Sequence, residues 1–257
     1  MPHVEVDGLR LHYRKGGGET GRAAVFVHGA GGNGGHWQAQ VDALPAVWRG
    51  LALDLPGHGD SAGTGCRTIP AYRDVVVAFL RAAAAGPAVL VGHSMGGAIT
   101  QAVALAEPEL LRGIVLVGTG ARLRVHPNIL ETIRRDHAEV ARLVAGWGFG
   151  PGAPEATRAE SIPDFLRCPA AVSEGDFRAC DAFDVMAEVA QVQVPALIVC
   201  GEQDALTPPK YARFLHERIA GSRLVLVPDA GHYVMREQPA AVNRALTEFL
   251  RTLPGGP

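Results

Sequence analysis

The sequence predicts an α/β fold: a mostly parallel central β-sheet flanked by helices, with a helical segment inserted into it. Three observations carry this expectation. Short, continuously apolar runs alternate with longer segments of helical period, the pattern of βα units. Those runs lack the apolar/polar alternation of a half-solvated sheet, so both faces are expected to be covered. One long stretch, between the runs ending near Val117 and starting near Ala196, holds no clear strand. It is too long for a structureless loop in a compact domain and must hold structure of its own.

A length of 257 residues suits one large domain, or one domain carrying an insertion. With 47% apolar and 19% charged residues the chain reads as compact and globular. Its net charge of -2 supplies neither a basic footprint for nucleic acid nor a polybasic membrane anchor. Met1 to Arg10 lacks the basic start and apolar stretch of a signal peptide. No run approaches the roughly 18 apolar residues of a membrane-spanning helix. A soluble cytoplasmic protein without nucleic-acid or membrane partners is the expectation. Cys66, Cys168, Cys180 and Cys200 show no C-x-x-C pair and no zinc-like spacing. They are expected as free thiols, and neither a metal nor another cofactor is expected.

The elements follow in order. Asp7-Gly8 is a hairpin signal between strands near Val4 to Val6 and Leu9 to Arg14. Buried strands are expected at Ala23 to Val27, Leu51 to Leu53, Ala88 to Val91, Gly113 to Val117, Ala196 to Cys200 and Arg223 to Val227. Thr68 caps a helix with Pro70 in its first turn, and Ile69, Tyr72, Val76, Phe79, Leu80 and Ala83 share one face. Thr207, before Pro208 and Pro209, opens another, with Tyr211, Phe214, Leu215 and Ile219 turned inward and Gly221 past its end. A last helix from Pro239 buries Val242, Leu246, Phe249 and Leu250, and 254–257 reads as a frayed tail. The core domain is therefore expected at 1–120 and 190–257. The insertion, 121–189, is read as a helical cap. It has helical patterning around Ile129 to Val144, an aromatic Gly/Pro-rich stretch from Gly146 to Pro154, and a helix ending near Val189.

Chemistry enters at Gly92-His93-Ser94-Met95-Gly96-Gly97, directly after a buried strand and directly before a helix-like run. A serine hydroxyl is a weak nucleophile and must be presented where a base can reach it. A sharp strand-to-helix turn does this but demands small residues two positions either side, as Gly92 and Gly96 are. The base and its orienting acid are sought at the carboxyl ends of other strands, where sites of open α/β sheets collect. His232, in Gly231-His232, follows the last strand; Asp204, in Gly201-Glu202-Gln203-Asp204, follows the one before. Glu202 and Asp229 compete for the acid's role. The order Ser94, Asp204, His232 is that of a serine, acid, histidine triad.

With these motifs the chain resembles the α/β-hydrolase fold superfamily, in its esterase-like group with a helical cap. The resemblance spans about Leu9 to Phe249 and rests on five spaced motifs. Besides the three above, His28-Gly29-Ala30-Gly31-Gly32 looks like the oxyanion loop, and Asp54-Leu55-Pro56-Gly57-His58-Gly59-Asp60-Ser61 like the D-x-P-G-x-G-x-S segment. The resemblance implies an oxyanion hole made by the backbone N–H groups of Met95 and Ala30, with neighbouring Gly31 an alternative to Ala30. His28, His58 and His93 read as turn-organising side chains, and Trp37 as packing beneath the site.

A serine at the elbow excludes relatives that carry Asp there. It leaves carboxylesterases, lactonases, thioesterases, C–C bond hydrolases and cofactor-free perhydrolases, which fold and triad do not separate. Carboxylic ester hydrolysis of a small-molecule substrate is favoured because it needs nothing beyond these parts. A small-molecule receptor with slow turnover is the reading from another class. Cap residues Trp147, Phe149, Phe165, Phe177, Phe183 and Met186 are the candidates for the substrate-pocket wall.

Overall fold

The computed structural model describes residues 2–254, so most of the tail expected at 254–257 lies outside the described residues. Eight strands form one sheet: β1 (His3–Val6), β2 (Leu9–Gly17), β3 (Arg22–Val27), β4 (Trp48–Leu53), β5 (Ala88–His93), β6 (Leu111–Val117), β7 (Ala196–Gly201) and β8 (Arg223–Val227). Their spatial order is β1-β2-β4-β3-β5-β6-β7-β8. The β1–β2 and β2–β4 pairs are antiparallel and all later pairs parallel. Asp7 and Gly8, both at positive φ, make the tight turn of the opening hairpin.

Ten helices accompany the sheet among the described residues: α1 (Gln38–Asp42), α2 (Ile69–Ala83), α3 (Met95–Ala106), α4 (Pro127–Thr132), α5 (His137–Gly148), α6 (Glu155–Leu166), α7 (Ala170–Asp181), α8 (Pro209–Arg218), α9 (Val234–Glu237) and α10 (Pro239–Thr252). Successive strand residues point to opposite faces. Val25, Leu90, Ile114 and Ile198 accordingly pack with Tyr72, Phe79, Ile99 and Leu215. Phe26, Val91, Val115 and Leu197 pack on the other face with Trp37, Leu246 and Phe249. This is why the strands read as unbroken apolar runs. Thr68 caps α2 by accepting from the Ala71 N–H at 3.3 Å. In α8, Tyr211 and Phe214 are half-buried, and Ala212 takes the inward place beside Leu215 and Ile219.

Helices α4 to α7 are inserted between β6 and β7. The helical patterning from Ile129 to Val144 is two helices, because the chain leaves the first at Thr132 and Asp136 caps the second, accepting from the Glu139 N–H at 2.8 Å. One expectation there is corrected. The later helix ends at Asp181, with only a 3-10 turn at Val189–Gln191. Its end is drawn off by the returning chain: Asp181 Oδ1 accepts from the Val125 N–H, and Asp184 pairs antiparallel with Arg122. No helix among the described residues is long and apolar enough to cross a membrane. All four cysteines are free.

Candidate active site

Ser94 stands between β5 and α3 at φ 52, ψ -115, a strained conformation for a residue with a side chain. Four main-chain and side-chain bonds hold it there. Its N–H donates to the Val117 carbonyl at 3.0 Å, and its own carbonyl accepts from Gly97, Ala98 and the Thr119 hydroxyl. The flanking glycines are required by contact: a Cβ on Gly92 would lie 2.1 Å from the Gly96 oxygen, and one on Gly96 2.3 Å from the Val27 oxygen. The Ser94 hydroxyl itself makes no hydrogen bond to the described residues and faces a cavity.

On the neighbouring strand ends, His232 Nδ1 lies 2.9 Å from Asp204 Oδ2, both side chains buried. Asp204 Oδ1 accepts from the N–H groups of Leu206 at 2.9 Å and Thr207 at 2.8 Å, and Oδ2 from the Thr207 hydroxyl at 2.8 Å. Thr207, read from sequence only as a helix opener, is thus turned back onto the acid, and Pro208 takes the cap of α8. With Nδ1 committed to Asp204, the nitrogen left to His232 is Nε2. The histidine loop is held from two sides. His93 Nε2 donates to the His232 carbonyl at 2.9 Å, and the His232 N–H donates to Gly148 of α5 at 2.7 Å. Glu202 and Asp229 are exposed, and neither is bonded to His232.

The loop after β3 runs beside the elbow, so close that a Cβ on Gly29 would meet Ser94 Cβ at 3.1 Å. His28 organises it. Nδ1 donates to the Gly29 carbonyl at 2.8 Å, and Nε2 accepts from the Leu55 N–H at 3.1 Å, which defines a neutral ring. Burial, and secondarily His58, push its pKa well below the ordinary value. The Gly31 N–H is already donated to Asp176 Oδ2 at 2.8 Å. The N–H groups of Ala30 and Met95 meet no acceptor among the described residues. The Asp54 motif proves to be a knot beneath this loop. Its carboxylate accepts from Gly34 and Asp60 N–H and meets His12 Nδ1 at 2.7 Å, while Ser61 donates to its carbonyl. Trp37 is fully buried below, edge-on to His93.

A cavity of about 600 Å³ opens over Ser94, Ala30 and His232. Of the cap candidates, Trp147 and Phe177 line it. The other four do not. Phe149 stacks on Tyr233 with ring centroids 4.8 Å apart, one layer behind the wall. Phe165 packs against Phe177 and covers Gly31. Phe183 turns to a separate surface hollow with Ile69, Ala102 and Leu105, and Met186 is exposed. Lining residues that sequence reasoning missed include Leu123, Val125, His126 and Ile129. Their signal was position: they directly follow β6, which ends at the same sheet edge as β5.

The alpha/beta hydrolase family matches this chain over residues 24–245. A pimeloyl-[acyl-carrier protein] methyl ester esterase of Neisseria meningitidis is 30% identical, over 96% of this chain and 83% of its own. The solved structure of a thermophilic esterase, 34% identical, superposes with a TM-score of 0.88 over 98% of both chains. The enol-lactonase from Burkholderia xenovorans LB400, 27% identical, superposes with a TM-score of 0.91 over 97% of this chain and 99% of its own.

Proposed function

The chain belongs to the alpha/beta hydrolase family, and from that premise we propose that it is a serine carboxylesterase acting on small to medium esters. The observation that carries this reading is the buried Asp204–His232 bond at the rim of the cavity into which the unpartnered Ser94 hydroxyl faces. His232 Nε2 takes the Ser94 proton as Oγ attacks the ester carbonyl, and the charge that forms on the carbonyl oxygen falls to the N–H groups of Ala30 and Met95. Collapse of the tetrahedral intermediate breaks the C–O bond to the alcohol, which leaves with the proton from His232. Water, deprotonated by the same nitrogen, then attacks the acyl-serine; the acyl–Oγ bond breaks, His232 returns the proton to Ser94 and the carboxylic acid is released. The Gly31 N–H is bonded to Asp176, which favours Ala30 as the second donor. The insertion, 121–189, serves as a cap that shields these steps from bulk water and walls the acyl or alcohol site.

Lactones are the second reading, favoured by the close superposition on an enol-lactonase; the same steps open a ring whose alcohol stays attached. A fluorophosphonate probe is expected to label Ser94. Ser94→Ala should fold normally and lose about 10⁴-fold or more of p-nitrophenyl butyrate turnover, since no neighbouring group replaces the hydroxyl. Labelling at another serine, or near-normal turnover in the variant, would overturn the assignment.

A further inference from the structure

The cap does more than roof the cavity: it holds the oxyanion loop by a buried carboxylate. Asp176, on α7, is 0% exposed. A carboxylate in such a place persists only with its lone pairs served. Oδ1 accepts from the Tyr72 hydroxyl at 2.5 Å; Oδ2 accepts from the Gly31 N–H at 2.8 Å and meets His58 Nε2 at 2.8 Å. His58 Nδ1 lies 3.0 Å from the Pro56 carbonyl, which only accepts, so that nitrogen carries a proton. Nε2 must carry one as well to meet a carboxylate, and the pair is a closed imidazolium–carboxylate bridge. Burial opposes the charge on His58, but Asp176 outweighs it and raises the pKa well above the ordinary value.

The bridge joins four pieces of chain: the loop after β4, α2, the cap, and the oxyanion loop. Around Gly31 the cap supplies the side chains as well. At φ +65, a Cβ there would meet the Phe165 ring at 2.3 Å. Two to five residues on, Asp164 of α6 accepts from Asn33 Nδ2 at 2.9 Å and pairs with His36 Nε2 at 2.7 Å. The core's own tie to this stretch is the Gly34 N–H to Asp54.

We infer that Asp176 is a positioning residue: by taking the Gly31 N–H it fixes the turn beside Ala30, whose own N–H has no acceptor among the described residues and which lines the cavity with Ser94. The oxyanion hole is then complete only while α7 is seated, and cap closure and catalytic competence are one event. Without Asp176 the Gly31 N–H has no buried acceptor, and the loop is free to rotate. The inference rests on the proposed role of Ala30, and a purely structural Asp176 would stabilise the cap without touching that role.

Asp176→Leu separates the two: it keeps about the volume and leaves the Gly31 N–H no acceptor, whereas an amide oxygen in the place of Oδ2 would still take both Gly31 and His58. The variant is expected to lower kcat on p-nitrophenyl butyrate by about 10- to 100-fold, less than the roughly 10²–10³ of a removed oxyanion donor because the donor is displaced and not lost, with KM within about threefold. A trifluoromethyl ketone, which binds as an oxyanion, should weaken by the same factor, and the product butyrate should not. Hydrogen exchange of the 29–33 backbone should quicken while that of the elbow, 92–97, stays unchanged. Tyr72→Phe, which unpairs Oδ1 but spares the Gly31 bond, should lower Tm and leave kcat within threefold. If Asp176→Leu is too unstable to purify, Asp176→Ala is read the same way. Unchanged kcat in a folded variant, unchanged exchange at 29–33, or an equal kcat loss in Tyr72→Phe overturns the inference. Failure of the esterase reading shows separately, as wild-type protein without turnover or phosphonate labelling. Exchange at 29–33 then decides the tie between cap and loop by itself.

Discussion

The elbow and the loop after β3, proposed to carry the second oxyanion donor, lie in contact, yet they are built from different materials. At the elbow the closest approaches are backbone on backbone, Gly92 against the Gly96 oxygen and Gly96 against the Val27 oxygen, and the side chains that also come near, Thr100 and Thr119, belong to the core and not to the insertion. At Gly31, in the loop proposed to carry the second oxyanion donor, the close approach is backbone on side chain, against Phe165, and the donor-acceptor pair reaches across to the insertion at Asp176. Main chain in a strand or a helix has no rotamers and yields little; a ring and a carboxylate on an inserted helix move with that helix. Under the proposed mechanism, Met95 therefore offers a donor that is always in place, and Ala30 one that depends on the cap.

The histidine loop tests the rigid side of this contrast and should show the largest effect. Asp204 gathers four donors, from Leu206, from both groups of Thr207 and from His232. Asp204→Asn puts an amide where one of those donors points and removes the charge that balances a protonated His232. Turnover of p-nitrophenyl butyrate should fall by about 10³- to 10⁴-fold, as for loss of an orienting carboxylate. Asp229→Asn, at an exposed turn with φ 54, should leave it unchanged. A larger loss in the Asp229 variant would mean that the acid has been misplaced.

The glycines sharpen the comparison through stability. Gly96→Ala drives a methyl into a strand carbonyl that has nowhere to go, and should cost about 3 kcal/mol, the upper range for overpacking. Gly31→Ala pays for positive φ with about 1 kcal/mol and otherwise meets only the Phe165 ring. Phe165→Ala, placed in each background, should recover part of the loss at Gly31 and none at Gly96. Urea unfolding of the two double-mutant cycles measures this. Recovery at Gly96 would show the elbow to be as dependent on the cap as the loop is.

What was legible in the sequence follows the same division. Strands such as Ala88–His93 and Ala196–Gly201 are apolar on both faces and short, so their ends, and the loops that carry Ser94 and Asp204, could be placed from composition alone. The glycine spacing of the elbow is a local backbone requirement and leaves a local signature. Thr207 was misread because its hydroxyl serves Asp204 three residues earlier rather than the helix ahead, and both are ordinary uses of a threonine before proline. Asp176 left no signature, since its partners lie 104 to 145 residues away. In the cap the apolar residues were visible but their directions were not. Helices α4 to α7 pack partly on the core and partly on each other, so an aromatic position does not say which surface it faces.

That ambiguity sets the last and smallest expected effect, a change of selectivity among cap variants. Trp147 and Phe177 line the cavity, Phe149 and Phe165 stand behind it, and Phe183 and Met186 face elsewhere. Truncating a wall residue adds room for substrate, and one methylene in an apolar pocket is worth about 10-fold at the low end. Trp147→Ala and Phe177→Ala should therefore shift the ratio of kcat/KM between long and short esters by about 3- to 10-fold, somewhat less than a full methylene because neighbours relax into the space. Series graded in acyl length and in alcohol length would show which end of the substrate each residue meets. Phe183→Ala should lower Tm and leave both series parallel to wild type, and Met186→Ala should change neither. Phe165→Ala stands between the groups: it removes support from Phe177 and from Gly31 together, so it should lower kcat for all esters before it alters their ranking. A selectivity shift in Met186→Ala, or none in either Trp147→Ala or Phe177→Ala, would mean that substrate does not occupy the space beneath the cap.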